Sequence, residues 1–201
     1  MKQAKGKPSN SLRIIAGQWR SRKLSFPDLD GLRPTADRVR ETLFNWLQES
    51  IVRADCLDLF AGSGACGIEA LSRGARQVTF VDVSPVAIGA IRNNLALLQA
   101  NDFNLVCEDS LHWLSKPSIN ATAQFDIAFL DPPFASGLIS RSALTLEASG
   151  RLRNGALVYL ESAQEISPTL LPENWQLRKS KRAGMVYFYL YQRQFPESGT
   201  P

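Results

Sequence analysis

Cysteine and histidine are scarce: Cys56, Cys66, Cys107 and a single His112 among 201 residues. No C-x-x-C pair exists, so a disulfide framework and a Cys/His zinc centre are both excluded, and no metal is expected. The expected setting is a reducing cytoplasm, with the cysteines as buried small apolar residues and His112 on the surface. No apolar run approaches the ~18–20 residues a membrane span needs. Met1 to Asn10 is basic and polar with no apolar stretch after it, which does not suit a secretory signal. Repeats and low-complexity linkers are missing too. Hydrophobic residues make up 44% and charged residues 21%, a globular balance that excludes disordered and collagen-like chains. The length suits one α/β domain with an extension.

Charge is unevenly spread. The first 40 residues hold ten positive groups, among them Arg13, Arg20, Arg22, Lys23, Arg33, Arg38 and Arg40, against three acids. The other 161 hold 13 positive and 16 negative groups. A basic front end on a mildly acidic body attracts phosphates and releases their counterions on binding. We therefore divide the chain into a basic extension, 1–50, and a body, 51–201. Solvated tail charge is the alternative.

Leu12 to Ala16 reads as a strand, with a second through Leu24 and Phe26 after a turn at Gly17 to Arg20. Pro27 to Gly31 is turn material. Thr35 is a candidate N-cap, and Val39, Leu43, Trp46 and Leu47 share one helix face. From Asp55 strands and helices alternate. Cys56–Phe60, Gln77–Val81, Phe103–Cys107, Phe125–Leu130 and Ala156–Leu160 read as strands. Helices follow the glycine turn at 62–67, Ser84-Pro85 and Leu138. Trp175–Ser180 and Met185–Tyr191 read as a closing hairpin. Alternation predicts a mainly parallel sheet covered on both faces, ending in an antiparallel strand.

Gly62-Ser63-Gly64-Ala65-Cys66-Gly67 follows a strand and opens a helix. The first glycine suits a tight turn, the second close backbone approach to a ligand, the third helix–strand contact. Asp82 stands 20 residues later at a strand end, where a carboxylate accepts from a ribose diol. Asp58 points away from a dinucleotide: a carboxylate repels a pyrophosphate but attracts an amino-acid ammonium. S-adenosylmethionine carries an ammonium, a ribose and no phosphate. Asp58 could instead cap the turn. Glu108-Asp109-Ser110 could bond an adenine amino group, or N-cap the next helix.

Asp131-Pro132-Pro133-Phe134 directly follows the fourth strand, a very apolar one. Two prolines stiffen the backbone and remove two donors. The Asp131 carboxylate and Pro132 carbonyl can accept both hydrogens of an exocyclic amino group. They would leave its lone pair aimed at an electrophilic methyl, with growing effect as positive charge develops on nitrogen. Phe134 can stack on an extruded base.

On these motifs the chain resembles class I S-adenosylmethionine-dependent methyltransferases of the amino-methylating kind, which carry (D/N)-P-P-(F/Y). Arg13-Ile14-Ile15-Ala16-Gly17, Arg33-Pro34-Thr35, Arg38 to Asn45, Asp58 to Gly64 and the Gly184 to Phe188 hairpin resemble the RsmD family of bacterial 16S rRNA guanine-N2 methyltransferases. The resemblance spans roughly residues 12–192. Asp82 stands where that family more often has Glu, and Glu108-Asp109-Ser110 replaces a more usual Gly-Asp-Ala. The resemblance implies a Rossmann-like α/β fold with a seven-stranded, mainly parallel sheet and a small N-terminal hairpin and helix. It implies S-adenosylmethionine held by Asp58, Phe60, Ala61, Gly62, Ser63, Gly64, Asp82, Val83, Asp109 and Ser110. It also implies methyl transfer to one guanine of 16S rRNA within the 30S subunit, by a monomer. Arg13, Arg20, Arg22 and Lys23 would then meet phosphates, and Arg33, Arg38 and Arg40 would lie near the crevice mouth. The acceptor pair fits any sp² amino nitrogen, so adenine N6 of DNA and a protein glutamine amide remain alternatives. A non-catalytic ribosome assembly factor is the alternative outside enzymes.

Overall fold

The computed structural model describes residues 10–26, 37–117, 124–133 and 137–194. The expectations placed on the 27–31 turn, Arg33, Thr35 and Phe134 lie outside them. Two short strands, β1 (Asn10–Arg13) and β2 (Lys23–Phe26), pair antiparallel and lead to helix α1 (Asp37–Trp46). Then come β3 (Asp55–Asp58), α2 (Ala65–Ser72), β4 (Gln77–Asp82), α3 (Pro85–Leu98), β5 (Phe103–Cys107) and α4 (Ser110–Ser115). The chain continues with β6 (Phe125–Leu130), α5 (Leu138–Ala148), β7 (Leu152–Ser162), β8 (Trp175–Ala183) and β9 (Val186–Arg193).

Seven strands form one sheet in the order β5-β4-β3-β6-β7-β9-β8. β3 to β7 are mutually parallel, and β9 is antiparallel to both neighbours, as the sequence pattern predicts. β6 lies mid-sheet, and its two-residue period serves two cores. Ile127 and Phe129 join Cys56, Phe80, Tyr159 and Phe188 under α1, α2 and α3. Ala128 and Leu130 join Leu57, Val81, Val158 and Leu160 under α4 and α5. A strand buried on both faces has no polar alternation, which is why Ile127–Leu130 reads as one apolar run; Asp126, just before it, is part-exposed and pairs with Arg153.

The first strand is shorter than its sequence suggests, for a specific reason. The Ile15 and Ala16 N–H groups donate to the Glu69 carboxylate of α2, at 2.8 and 3.0 Å, instead of to a strand. Gly17 has φ +82°, and a Cβ there would lie 1.8 Å from the Ser72 carbonyl. Gln18 N–H donates to that carbonyl, and Ser72 Oγ links Trp19 N–H to the Ala16 carbonyl. Leu12, Ile14, Leu24, Phe26, Leu43 and Phe44 share the core of the sheet. No helix among the described residues is long and apolar enough to cross a membrane.

Candidate functional site

The chain winds from β3 outward to β4 and β5, then returns to β6 on the other side. Ligands in open α/β sheets bind at such a reversal, outside the C-terminal strand ends. There β3 ends at Asp58, β4 at Asp82, and β6 runs directly into Asp131. Residues distant in sequence thus meet at one crevice.

Between β3 and α2 the backbone is held on both sides: Leu59 N–H donates to the Phe129 carbonyl and Ala61 N–H to the Val81 carbonyl. Gly62 and Gly64 have φ of 53° and 76°, the left-handed region where glycine is unstrained. Gly67 serves packing, since a Cβ there would lie 2.2 Å from the Phe80 ring. Phe60 is half-buried, while Ala61 and Ser63 are buried.

Both Asp82 oxygens are oriented by backbone: Oδ2 accepts from Gly62 N–H and Oδ1 from Ser84 N–H, each at 2.8 Å. Val83, beside it, is an apolar side chain left 68% exposed. Asp58 is buried, and its Oδ2 accepts the Gly67 N–H at 2.9 Å. Burial pushes its carboxyl from an ordinary 3.8 up to about 7; the Gly67 N–H opposes this and the Asp82 charge adds to it. The turn-capping role foreseen for Asp58 is therefore present, in a carboxylate that also borders the crevice.

The Asp109 side chain is exposed and N-caps α4, accepting from His112 N–H at 2.9 Å. Ser110 is buried and donates its hydroxyl to the Leu59 carbonyl. That bond ties α4 to the glycine turn, so Ser110 positions the crevice instead of facing it. His112 is exposed beside Glu108, at 3.3 Å. Cys56 and Cys66 are buried as expected; Cys107 is exposed because it ends the edge strand β5.

Past β6, Asp131 is partly exposed, Pro132 buried and Pro133 exposed. Sequence reasoning missed the side chain across from Asp131. Leu130 pairs with Leu160 at the end of the β6–β7 ladder, so Asp131 and Glu161 follow as the next pair on the same face. Glu161 is 6% exposed and accepts from the Tyr159 hydroxyl at 2.8 Å. Burial pushes Glu161 up, and the hydroxyl acts against it. Burial also raises the Cys66 thiol, helped by the fields of Asp58, Asp131 and Glu161, so the three acids surround one small region. In the sequence Glu161 is only the polar residue after an apolar strand.

The cations divide. Arg13 is exposed and reaches Asp37 at 3.8 Å. Arg20, Arg22 and Lys23 are exposed. Arg22 donates to the Leu97 carbonyl near the C-terminus of α3, and the Arg20 turn packs on Ser72 at the C-terminus of α2. Helices between parallel strands run against them, so Arg20 and Arg22 sit at the pole opposite the crevice. From Pro85 to Leu97, α3 alone spans about 18 Å at ~1.5 Å per residue. Arg38 is exposed and lines one cavity with Glu161, at the crevice pole. Arg40 does not belong with these: it is fully buried, donating to the Arg13 carbonyl and Asp37, with Glu69 at 3.8 Å. A buried guanidinium cannot meet RNA, so its place in the RNA-facing set is corrected. The helix period carries the signal: Arg40 follows Val39 and precedes Leu43 and Phe44 on the buried face. Four cations in five residues, Arg178, Lys179, Lys181 and Arg182, are exposed on β8 and were not foreseen as a site. Among the described residues no cluster of metal-ligating side chains occurs.

A family model described as "Conserved hypothetical protein 95" matches residues 12–192. Ribosomal RNA small subunit methyltransferase D of Escherichia coli strain K12 is 45% identical over 194 residues, covering 96% of each chain. Its namesake in Haemophilus influenzae is 43% identical over 183 residues, 90% of this chain and 93% of that one. The solved structure of Escherichia coli yhhF, 45% identical, superposes with a TM-score of 0.82 over 92% of this chain and 99% of its own. SMU.776, solved in complex with SAH, shares the fold at 15% identity and a TM-score of 0.68, over 96% of this chain and 58% of its own.

Proposed function

Since the chain belongs to the conserved hypothetical protein 95 family, that of the small-subunit rRNA methyltransferases D, we propose that it methylates 16S rRNA with S-adenosylmethionine, at the N2 amino group of one guanine. We further infer a monomer acting in the cytoplasm on the assembled 30S subunit. The observation that carries this reading is the meeting of Asp58, Asp82 and Asp131 at the switch point of the sheet.

The residues suit the cofactor. Asp58 is a buried carboxyl whose charge is disfavoured until a cation approaches, and an ammonium is such a cation. Asp82 is held by two backbone N–H groups with lone pairs left for a ribose diol. Exposed Val83 offers an apolar surface to a purine ring, with Asp109 nearby for its amino group. Gly62 and Gly64, both left-handed, leave two positions of the turn without a side chain. When bound, S-adenosylmethionine supplies a methyl group on a sulfonium.

Asp131 and Pro132 act on the acceptor. The carboxylate and the proline carbonyl accept the two amino hydrogens and hold the nitrogen in one orientation. Both oxygens are electron-rich and rigidly placed, so they stabilise the cationic nitrogen of the transition state more than the neutral amine. Orientation supplies much of the remaining rate. The displaced proton leaves to water, so no strong base is required.

The test is labelled methyl transfer to unmodified 30S particles, free 16S rRNA, duplex DNA and a protein extract side by side. Label in 30S, mapped to the N2 of one guanine, is expected. Label in DNA or protein with none in rRNA, or no transfer at all, overturns the reading.

A further inference from the structure

A cavity of about 420 Å³ opens between α1 and the β8–β9 hairpin, at the same end of the sheet as Asp131. Its size lies within the ~300–1,000 Å³ of small-molecule sites. Arg38, Lys181 and Arg182 line it together with Glu161, while Val39 and Phe188 supply apolar wall. Phe188 is fixed from behind by stacking on Trp46, 5.3 Å between centroids, and is paired across the ladder with Glu161. We propose that this cavity seats the guanine to be methylated, Glu161 accepting its N1–H beside Asp131, with Arg38, Lys181 and Arg182 on the adjoining phosphates.

The mixed lining selects the occupant. Three cations call for an anion, yet a bare anion is repelled by the Glu161 carboxylate. A nucleotide satisfies both if its base offers an N–H to that carboxylate. Adenine and cytosine present a lone pair at the ring nitrogen beside their amino group, and uracil has no amino group. Guanine alone places a ring N–H next to an exocyclic amino group. That pair of neighbouring donors matches Asp131 and Glu161, neighbours across strands ~4.8 Å apart. The flat base suits the apolar wall. This deepens the guanine reading above and rests on it.

2-Aminopurine keeps the N2 amino group but replaces N1–H with a lone pair, so it separates the two carboxylates. Wild-type protein is first assayed on 30S particles and the methylated guanine mapped. Particles are then rebuilt on 16S rRNA carrying 2-aminopurine at that position. Wild type should prefer guanine at least 100-fold in kcat/KM. Glu161→Gln, whose amide can donate to the N1 lone pair, should shrink that preference at least tenfold. A merely structural Glu161 would slow both substrates alike, and an unchanged preference overturns the proposal. Where Glu161→Gln fails to fold, Lys181→Ala with Arg182→Ala, both exposed, decides instead: rRNA affinity should drop about tenfold with a shallower salt dependence, and unaltered binding overturns the proposal. Absence of methyl transfer by the wild type would strike the function itself, not the seat.

Discussion

Asp58 answers to two neighbours at once. One oxygen holds the Gly67 N–H, and burial lifts the carboxyl to about 7. An ammonium requires the charged form, so below pH 7 a proton must first leave, at a tenfold loss of affinity per pH unit. Cofactor affinity should therefore fall about tenfold between pH 8 and pH 6, with proton release on binding. Titration calorimetry in buffers of different ionisation enthalpy measures both, and a flat profile would remove Asp58 from the cofactor site. Asp58→Asn should bind weakly with no such pH dependence. Asp131 belongs to the acceptor side. Asp131→Ala should lower turnover about 10²–10³-fold, the usual cost of losing one preorganised polar partner, with cofactor affinity little changed. Near-normal turnover in single-turnover assays would exclude the role.

At the scale of elements, α2 serves the crevice from its first turn and holds the N-terminal extension from the rest of its length. Its first turn gives Gly67 N–H to Asp58, and its flank lies against β4 where Gly67 meets Phe80. Gly67→Ala places a methyl inside the ring's contact distance and should destabilise by about 1–3 kcal/mol, as overpacking does. Urea unfolding monitored by tryptophan fluorescence reads the shift. Further along α2, the buried Glu69 carboxylate accepts from Ile15 N–H, Ala16 N–H and Arg73, with Arg40 close by. Glu69→Ala strands those donors and the buried Arg40 charge, and should cost about 3–5 kcal/mol. It should also free β1 and β2 from the sheet, visible as faster amide exchange over residues 10–26. An unaffected exchange pattern would show that apolar contacts alone hold the extension.

Over the whole molecule, positive charge gathers at two places that the sequence does not distinguish. Arg20 and Arg22 stand by the C-terminal ends of α2 and α3, whereas Arg38, Lys181 and Arg182 border the cavity at the crevice end. A polymer as large as rRNA can touch both, but only the second set flanks the reacting base. Arg20→Ala with Arg22→Ala should weaken particle binding and lower the slope of log K against log salt by about 1.5. It should leave the preference for guanine over 2-aminopurine as in wild type. A change in that preference would contradict the placement.

The alternating pattern from Asp55 onward determined the parallel sheet and placed a helix at Leu138, where α5 begins. The glycine turn, Asp82 and the Asp131 tetrapeptide were legible because each is a local signal: conformational freedom, spacing, or a rigid pair of prolines. Tertiary structure decided what depends on distance through space. It turned Arg40 inward beside Glu69, moved Arg20 and Arg22 away from the crevice, and set Glu161 next to Asp131. Only Arg40 carries a mark along the chain, its place on the apolar period of α1; the other two carry none, because strand neighbourhood and which end of a helix is approached follow from which faces meet, and sequence proximity does not specify that.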